Sequence, residues 1–112
     1  RRLAAMRELS QEGIPVWGFF GPVLPTFTDT EEEIAEMLRA MAEAGAVRVL
    51  VDAMNLYPKV QNSVRALIAG VFPDRLEAFD TVRRDPAAYA SALSERVATA
   101  ARCVDLKVDV CF

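Results

Sequence analysis

The sequence predicts an α/β fold built on parallel strands, either an open sheet or part of a (βα) barrel. Two apolar runs, Val16–Leu24 and Val47–Ala53, read as strands, and each follows a predicted helix that ends at a glycine. The two glycines, Gly13 and Gly45, recur at about 30 residues, which is the length of a βαβ unit. Consecutive units of this length are typical of parallel sheets.

The first helix is predicted over Arg2–Glu12 from the spacing of its apolar residues. Gly13 suits the left-handed position just beyond a helix end. Ile14 would then pack back on Leu9, which is the hydrophobic contact of a Schellman motif. Because Pro15 cannot continue the helix, the first strand follows directly.

The first strand, Val16–Leu24, is almost wholly apolar, so we expect a parallel strand covered on both faces. Gly18 and Gly21 would let another backbone or a ligand come close. Pro22 cannot donate to the sheet, so regular pairing should end near it. The loop that follows lies at the carboxyl end of a parallel strand, where α/β folds place their sites, although a well-made βα turn would have the same sequence.

The second helix is predicted over Glu31–Ala44, with Thr30 as its N-cap and Glu33 closing a capping box. Thr28 with Glu31 fits the same pattern, so the helix start has two candidates. The three glutamates of the first turn complement the helix dipole. Carboxylates in a solvated turn lack the environment that separates pKa values for acid–base catalysis, so we assign them no catalytic role.

After the strand Val47–Ala53, a second loop occupies Met54–Lys59. A third helix with apolar spacing follows over Val60–Val71 and is broken at Phe72–Asp74. A short helix is then predicted over Arg75–Arg83.

The last helix begins with Asp85 as N-cap and Pro86 at the first helical position. Its apolar stripe consists of Tyr89, Leu93, Val97 and Ala101. The terminal segment Lys107–Phe112 alternates in polarity, which is typical of an edge strand or an antiparallel addition.

Composition excludes several classes of function. The 112 residues carry a net charge of −3 and no histidine, which removes His-dependent nucleophilic catalysis and the commonest metal ligand. No basic cluster indicates nucleic-acid binding, and no apolar run approaches the length of a membrane span. Cys103 and Cys111 lack the spacing of a metal site, so no metal is expected on this chain. We interpret both as structural thiols, Cys103 on a helix face and Cys111 in the terminal strand, reduced in the cytoplasm.

Five short motifs in fixed order resemble the carboxyl-terminal half of radical SAM proteins, most closely the spore photoproduct lyase-like branch. They are a helix end with an AGIPV-like turn, a PVLP-like loop, a TDxEE helix start, an EAGA turn and a strand end near NLxP. In this chain they correspond to Glu12–Val16, Pro22–Pro25, Thr28–Glu32, Glu43–Ala46 and Asn55–Pro58. The likeness extends over about residues 2 to 75 and rests on the order and spacing of the motifs.

The resemblance implies a partial (βα)6 TIM-like barrel. Enzymes of this kind hold a 4Fe-4S cluster in a CxxxCxxC loop and cleave S-adenosylmethionine to a 5′-deoxyadenosyl radical. This chain has no CxxxCxxC. The resemblance therefore implies the carboxyl-terminal part of a lyase-like enzyme, without the cluster-binding half and inactive alone.

The resemblance also implies which residues face the adenosine of the cofactor. On the first loop these are Gly21, Pro22, Val23 and Leu24, through backbone and apolar contact; on the second they are Asn55 and Leu56.

Three nearby residues have open alternatives. Asn55 can donate and accept through its amide, but a loop Asn equally often bonds the local backbone. Tyr57 would line a substrate cavity, or serve only for packing. Asp52, a charge inside an apolar strand, would face a barrel interior or pair with Arg48 or Lys59.

A second interpretation needs no catalysis. Two central-looking parallel strands leave open edges, and an unpaired edge is a template for another strand. The chain would then be a stand-alone α/β interaction module that completes its sheet with a second copy. Under both interpretations we expect the isolated chain to form a homo-oligomer. The terminal strand would either cap an edge of its own sheet or cross to the partner as an exchanged strand.

Overall fold

The computed structural model describes residues 1–55 and 57–112. In the described part of the chain, five α-helices, one 3₁₀ turn and three strands follow one another. They are α1 (Arg2–Gln11), β1 (Val16–Val23), α2 (Glu31–Glu43), β2 (Ala46–Ala53), α3 (Pro58–Val71), the 3₁₀ turn (Pro73–Arg75), α4 (Leu76–Arg84), α5 (Pro86–Ala101) and β3 (Lys107–Val110). None of the helices in these ranges combines the length and the apolar character that crossing a membrane requires.

The three strands form one parallel sheet in the order β1-β2-β3. The prediction that the first two strands are parallel neighbours joined by the intervening helix is confirmed. Of the two alternatives for the terminal segment, the edge strand is confirmed, because β3 pairs only with β2 in the described sheet. The antiparallel addition is wrong, since Lys107 of β3 pairs in parallel register with Arg48 of β2. Helices α3, α4 and α5 carry the chain from the carboxyl end of β2 back to the end of the sheet where the strands begin. Because β3 starts from that end, it runs parallel to β2.

Helices α2 and α5 pack together and cover one face of the sheet. The centre of this core consists of side chains with no more than 2 % exposure, namely Val23, Ile34, Leu38, Val49, Val51, Leu93, Val97 and Ala100. The opposite face has no such cover in the described chain. Trp17 and Phe19 are each 59 % exposed there, so the expectation that β1 is buried on both faces is wrong.

Three predicted helix caps are confirmed, whereas α3 begins at Pro58, two residues before the predicted start. Thr30 accepts a hydrogen bond from the Glu33 amide at 3.1 Å and donates to its carboxylate at 3.0 Å. Asp85 caps α5 by accepting from Ala88 N at 3.0 Å. Gly13 has φ of +79°, and the amide of the next residue bonds back into the last turn of α1, as the Schellman pattern requires.

Helices α3 and α4 pack as a pair beside the main core. Ile68 and Phe79 are almost fully buried there. Arg65 forms a two-pronged ion pair with Asp80, through Nε at 2.9 Å and NH2 at 3.0 Å. Arg83 adds a third contact to the same carboxylate at 3.3 Å.

The two cysteines differ from expectation. Helix α5 ends at Ala101, so Cys103 lies in the turn that follows and not on a helix face. Cys111 follows the last strand residue. Both thiols are free, as expected, and both are exposed, so no side-chain burial supports a structural role for either.

Candidate functional site

The carboxyl ends of β1 and β2 lie side by side. Val23 pairs with Ala53, and the amide of Met54 donates to the Val23 carbonyl at 3.3 Å. The two loops assigned to cofactor contact therefore start from neighbouring points on one edge of the sheet. The register is irregular between Phe20 and Val23, as the position of Pro22 predicts.

Gly21, Pro22 and Val23, which the sequence assigns to the first loop, are the last residues of β1, and Leu24 is the first residue after the strand. Gly21 and Pro22 are exposed, whereas Val23 is fully buried beneath the helices. Val23 therefore exposes neither its side chain nor its backbone to a ligand, and its carbonyl already accepts a hydrogen bond from Met54. A side chain at Gly21 would meet the ring of Phe19 at 2.7 Å, so that ring occupies the space the glycine leaves. Leu24 is 40 % exposed.

On the second loop, Asn55 and Tyr57 are both exposed, and Tyr57 reaches 66 %. Leu56, the remaining residue assigned there, lies outside the described residues. Asp52 accepts a hydrogen bond from its neighbour Ala53 N at 2.9 Å. Among the described ion pairs it has none with Arg48, which binds Asp109 instead.

The segment after Leu24 is a closed turn. The carbonyl of Leu24 accepts hydrogen bonds from the amides of Phe27 and Thr28, and the amide of Leu24 donates to Thr28 Oγ1 at 2.8 Å. At the tip, Thr26 has φ of +68°, a conformation that β-branched residues rarely adopt. Arg75 holds this tip, with NH1 donating to the Thr26 carbonyl at 3.0 Å and the guanidinium 4.6 Å from the Phe27 ring centroid.

A polar triad that the sequence does not predict anchors the same loop to α5. Asp29 is 8 % exposed and accepts a hydrogen bond from the Tyr89 hydroxyl at 2.9 Å. Arg96 NH1 lies 3.6 Å from the same carboxylate oxygen and donates to the Asp29 carbonyl at 3.0 Å. Burial, and then the hydrogen bond to Asp29, raise the pKa of Tyr89 well above its ordinary value, so the phenol stays protonated and donates.

Two grooves adjoin Tyr89 at this end of the molecule. The larger, of about 940 Å³, lies between the first loop, α4 and α5, and the triad lines it. The smaller, of about 340 Å³, is lined by Asp52, Asn55 and Phe112 among others. Asn55 therefore borders a concave surface, and Asp52 shares it.

The uncovered face of the sheet carries a second polar cluster. Arg48 Nε donates to Asp109 Oδ2 at 2.7 Å, and the guanidinium lies 4.8 Å from the centroid of the Trp17 ring. These contacts place residues from all three strands on one face. In an open sheet this face is exposed, and in a closed barrel it would be the interior.

The residues of this chain do not fit an iron–sulfur cluster. Such a cluster is held by several cysteine thiolates. This chain has two cysteines, Cys103 and Cys111, which lie before and after β3, at opposite ends of that strand. Within residues 1–55 and 57–112, no group of three or more His, Cys, Asp or Glu residues is arranged to hold a metal ion. The apolar loop and the amide of Asn55 are compatible with a nucleoside, which needs no charged partner.

Comparison of the chain with known protein families, with curated proteins and with solved structures finds no match.

Proposed function

We propose that this chain is the carboxyl-terminal part of a lyase-like radical SAM enzyme, in which the sheet forms part of the wall of a (βα) barrel. One observation carries the proposal. Three sequential parallel strands have helices on one face and leave aromatic and charged side chains on the other. Doubly wound sheets cover both faces, whereas a barrel wall has helices outside only and turns its second face inward.

In this proposal the adjacent loops after β1 and β2 contact the adenosine of S-adenosylmethionine. Leu24 offers an exposed apolar side chain, and Asn55 offers an amide that can both donate to and accept from a base edge. Tyr57 lines the substrate side. When bound, the cofactor and its cluster supply the radical chemistry. The cluster must be held by residues outside this chain, so these 112 residues are inactive alone, in a cytoplasmic enzyme.

The experiment uses the protein translated from the complete coding sequence, purified without oxygen. Binding of S-adenosylmethionine is measured by calorimetry for wild type, Asn55→Ala and Asn62→Ala. Asn62 is an exposed asparagine on α3 and serves as the matched control. Loss of one or two hydrogen bonds should weaken binding by Asn55→Ala about 5- to 30-fold. The control variant should bind S-adenosylmethionine as wild type does. Equal affinities for all three proteins would contradict the assigned role.

A second candidate function is favoured by a different observation. Trp17 and Phe19, two of the most exposed large apolar residues, lie on the same uncovered face. The outer edges of β1 and β3 are also unpaired in the described sheet. We propose as the alternative that the chain is a non-catalytic module that self-associates. Sedimentation or light scattering over a dilution series tests it, and a monomer of 12.3 kDa at every concentration would contradict it.

A further inference from the structure

We infer that the uncovered face binds a second copy of the chain, with the strands of the two copies antiparallel and Arg48 of each opposite Asp52 of the other. This inference rests on the second candidate function, self-association, and specifies its geometry.

Side-chain contacts and strand pairing show which residues share the uncovered face. Arg48 contacts both Trp17 and Asp109, so these three point to the same side. A Cβ atom at Gly21 would lie 2.7 Å from the Phe19 ring and 3.2 Å from Asp52 Cβ, so Gly21, Phe19 and Asp52 also share one face. Lateral pairing adds Leu50 and Lys107 to the set, because paired residues of parallel strands face the same way.

These residues form three rows across the strands, about 7 Å apart. The row at the amino end contains Trp17, Arg48 and Lys107, and the middle row contains Phe19, Leu50 and Asp109. The row at the carboxyl end contains Gly21 and Asp52. Positive charge and the largest side chain therefore lie at one end of the face, and negative charge and the smallest residue lie at the other.

Two symmetric ways of packing the face on itself are available, since the two-fold axis must lie in the plane between the sheets. If the axis runs along the strands, Arg48 of one copy faces Arg48 of the other, and Asp52 faces Asp52. These like charges repel each other. An axis across the strands, level with Leu50, exchanges the end rows. Arg48 then faces Asp52 of the other copy, and the Trp17 ring faces Gly21. The middle row faces itself, so the two Asp109 carboxylates lie opposite each other, each neutralised by Arg48 of its own chain.

The charges present on this face favour the second arrangement. Among the described residues Asp52 has no ion pair, and its carboxylate accepts a hydrogen bond from the neighbouring amide of Ala53. Arg48 is anchored by Asp109 and remains part-exposed, with 31 % of its side chain accessible. A sheet of three strands offers a small contact area, so we expect a weak dimer that dissociates in the micromolar range.

The test is sedimentation equilibrium of the 112-residue chain between about 1 µM and 1 mM, a range that spans weak association. Wild type should pass from 12.3 kDa toward twice that mass. Asp52→Arg places like charges opposite each other and should remain monomeric. The double variant Arg48→Asp/Asp109→Arg retains an ion pair within the chain and should remain monomeric for the same reason.

An equimolar mixture of the two variants is the decisive sample. In the mixed dimer both contacts between positions 48 and 52 are again between opposite charges, and Asp109 of one copy faces the arginine at position 109 of the other. Association should therefore return to at least the wild-type level. Lys107→Glu, on the same face but opposite no charged residue, is the control and should associate as wild type does. Circular dichroism of each variant confirms that it is folded.

The experiment distinguishes self-association itself from the proposed arrangement of the two copies. A wild-type chain that stays monomeric throughout would overturn both self-association and this geometry. A wild type that dimerises with variants that dimerise equally well, or a mixture that fails to associate, would overturn the geometry and leave self-association standing.

Discussion

The hydroxyl of Tyr89 donates a 2.9 Å hydrogen bond to Asp29, joining α5 to the loop after β1 across 60 residues of sequence. Arg96 reaches the same aspartate from two turns further along α5. Because Asp29 directly precedes the N-cap of α2, this contact fixes the start of that helix and the first loop of the candidate site. Two predictions about stability depend on it.

Removing the carboxylate should destabilise the chain. Asp29→Ala leaves a half-buried phenol without its acceptor and Arg96 without its anion, so we expect the free energy of unfolding to fall by about 1–3 kcal/mol. Urea denaturation measures the change. Glu36→Ala, at an exposed position of α2, is the control and should stay within about 0.5 kcal/mol of wild type. A loss at Asp29 no larger than that of the control would show that the triad contributes nothing.

Alkaline pH should weaken the same contact. The folded-state pKa of Tyr89 lies above its ordinary value of 10.0, so the stability it contributes is complete below pH 10 and is lost as pH rises toward the folded value. Above pH 10, wild type should lose up to about 1.4 kcal/mol per pH unit relative to Tyr89→Phe. Denaturation of both proteins from pH 7 to 11 measures this, and parallel curves would contradict the buried, protonated phenol.

Acid should weaken the packing of α3 against α4. Arg65, and to a smaller extent Arg83, lower the pKa of Asp80 below its ordinary 3.8. The stability from this group is therefore present above pH 3.8 and is lost as pH falls through the lower folded value. Wild type should lose its advantage over Asp80→Asn within that acid range. Asp105→Asn, an exposed aspartate in the turn before β3, should retain the wild-type pH dependence; if it behaves like Asp80→Asn, the ion pair is not responsible.

Three glycine-to-alanine variants should differ in a fixed order. Gly13 and Gly45 both have positive φ, but a side chain at Gly45 would also collide with Ser10, whereas the space beside Gly13 is empty. Gly70 lies inside α3 with no atom near its missing side chain. We expect Gly70→Ala to stabilise by about 0.4–1 kcal/mol, Gly13→Ala to destabilise by about 1 kcal/mol, and Gly45→Ala to destabilise most. Thermal melting ranks them, and equal losses at Gly13 and Gly45 would contradict the contact with Ser10.

Much of the fold follows from local sequence. The caps at Thr30 and Asp85 and the helix end at Gly13 depend on residues a few positions apart, so their patterns predict them directly. The pairing of β1 with β2 follows from the length of the βαβ unit and is likewise local in origin.

The features that the sequence does not predict depend on distant residues. The direction of β3 is set by the crossover through three helices, and alternation in Lys107–Phe112 fits an exposed edge of either direction. The apolar run of β1 predicts burial, yet Trp17 and Phe19 are exposed. Whether another element covers a strand face depends on distant parts of the chain and not on the sequence of the strand. Asp29 and Tyr89 are 60 positions apart. The Asp before the N-cap and the Tyr of an apolar stripe give no local sign that they meet.

The most direct measurement of the proposed function is the yield of 5′-deoxyadenosine from S-adenosylmethionine. Protein from the complete coding sequence is reconstituted anaerobically with iron and sulfide and reduced with dithionite, and the 112-residue chain treated identically is the control. The proposal predicts cluster-bound iron and time-dependent 5′-deoxyadenosine for the complete protein and neither for the chain alone. A complete protein that is folded but binds no cluster and forms no 5′-deoxyadenosine would contradict it.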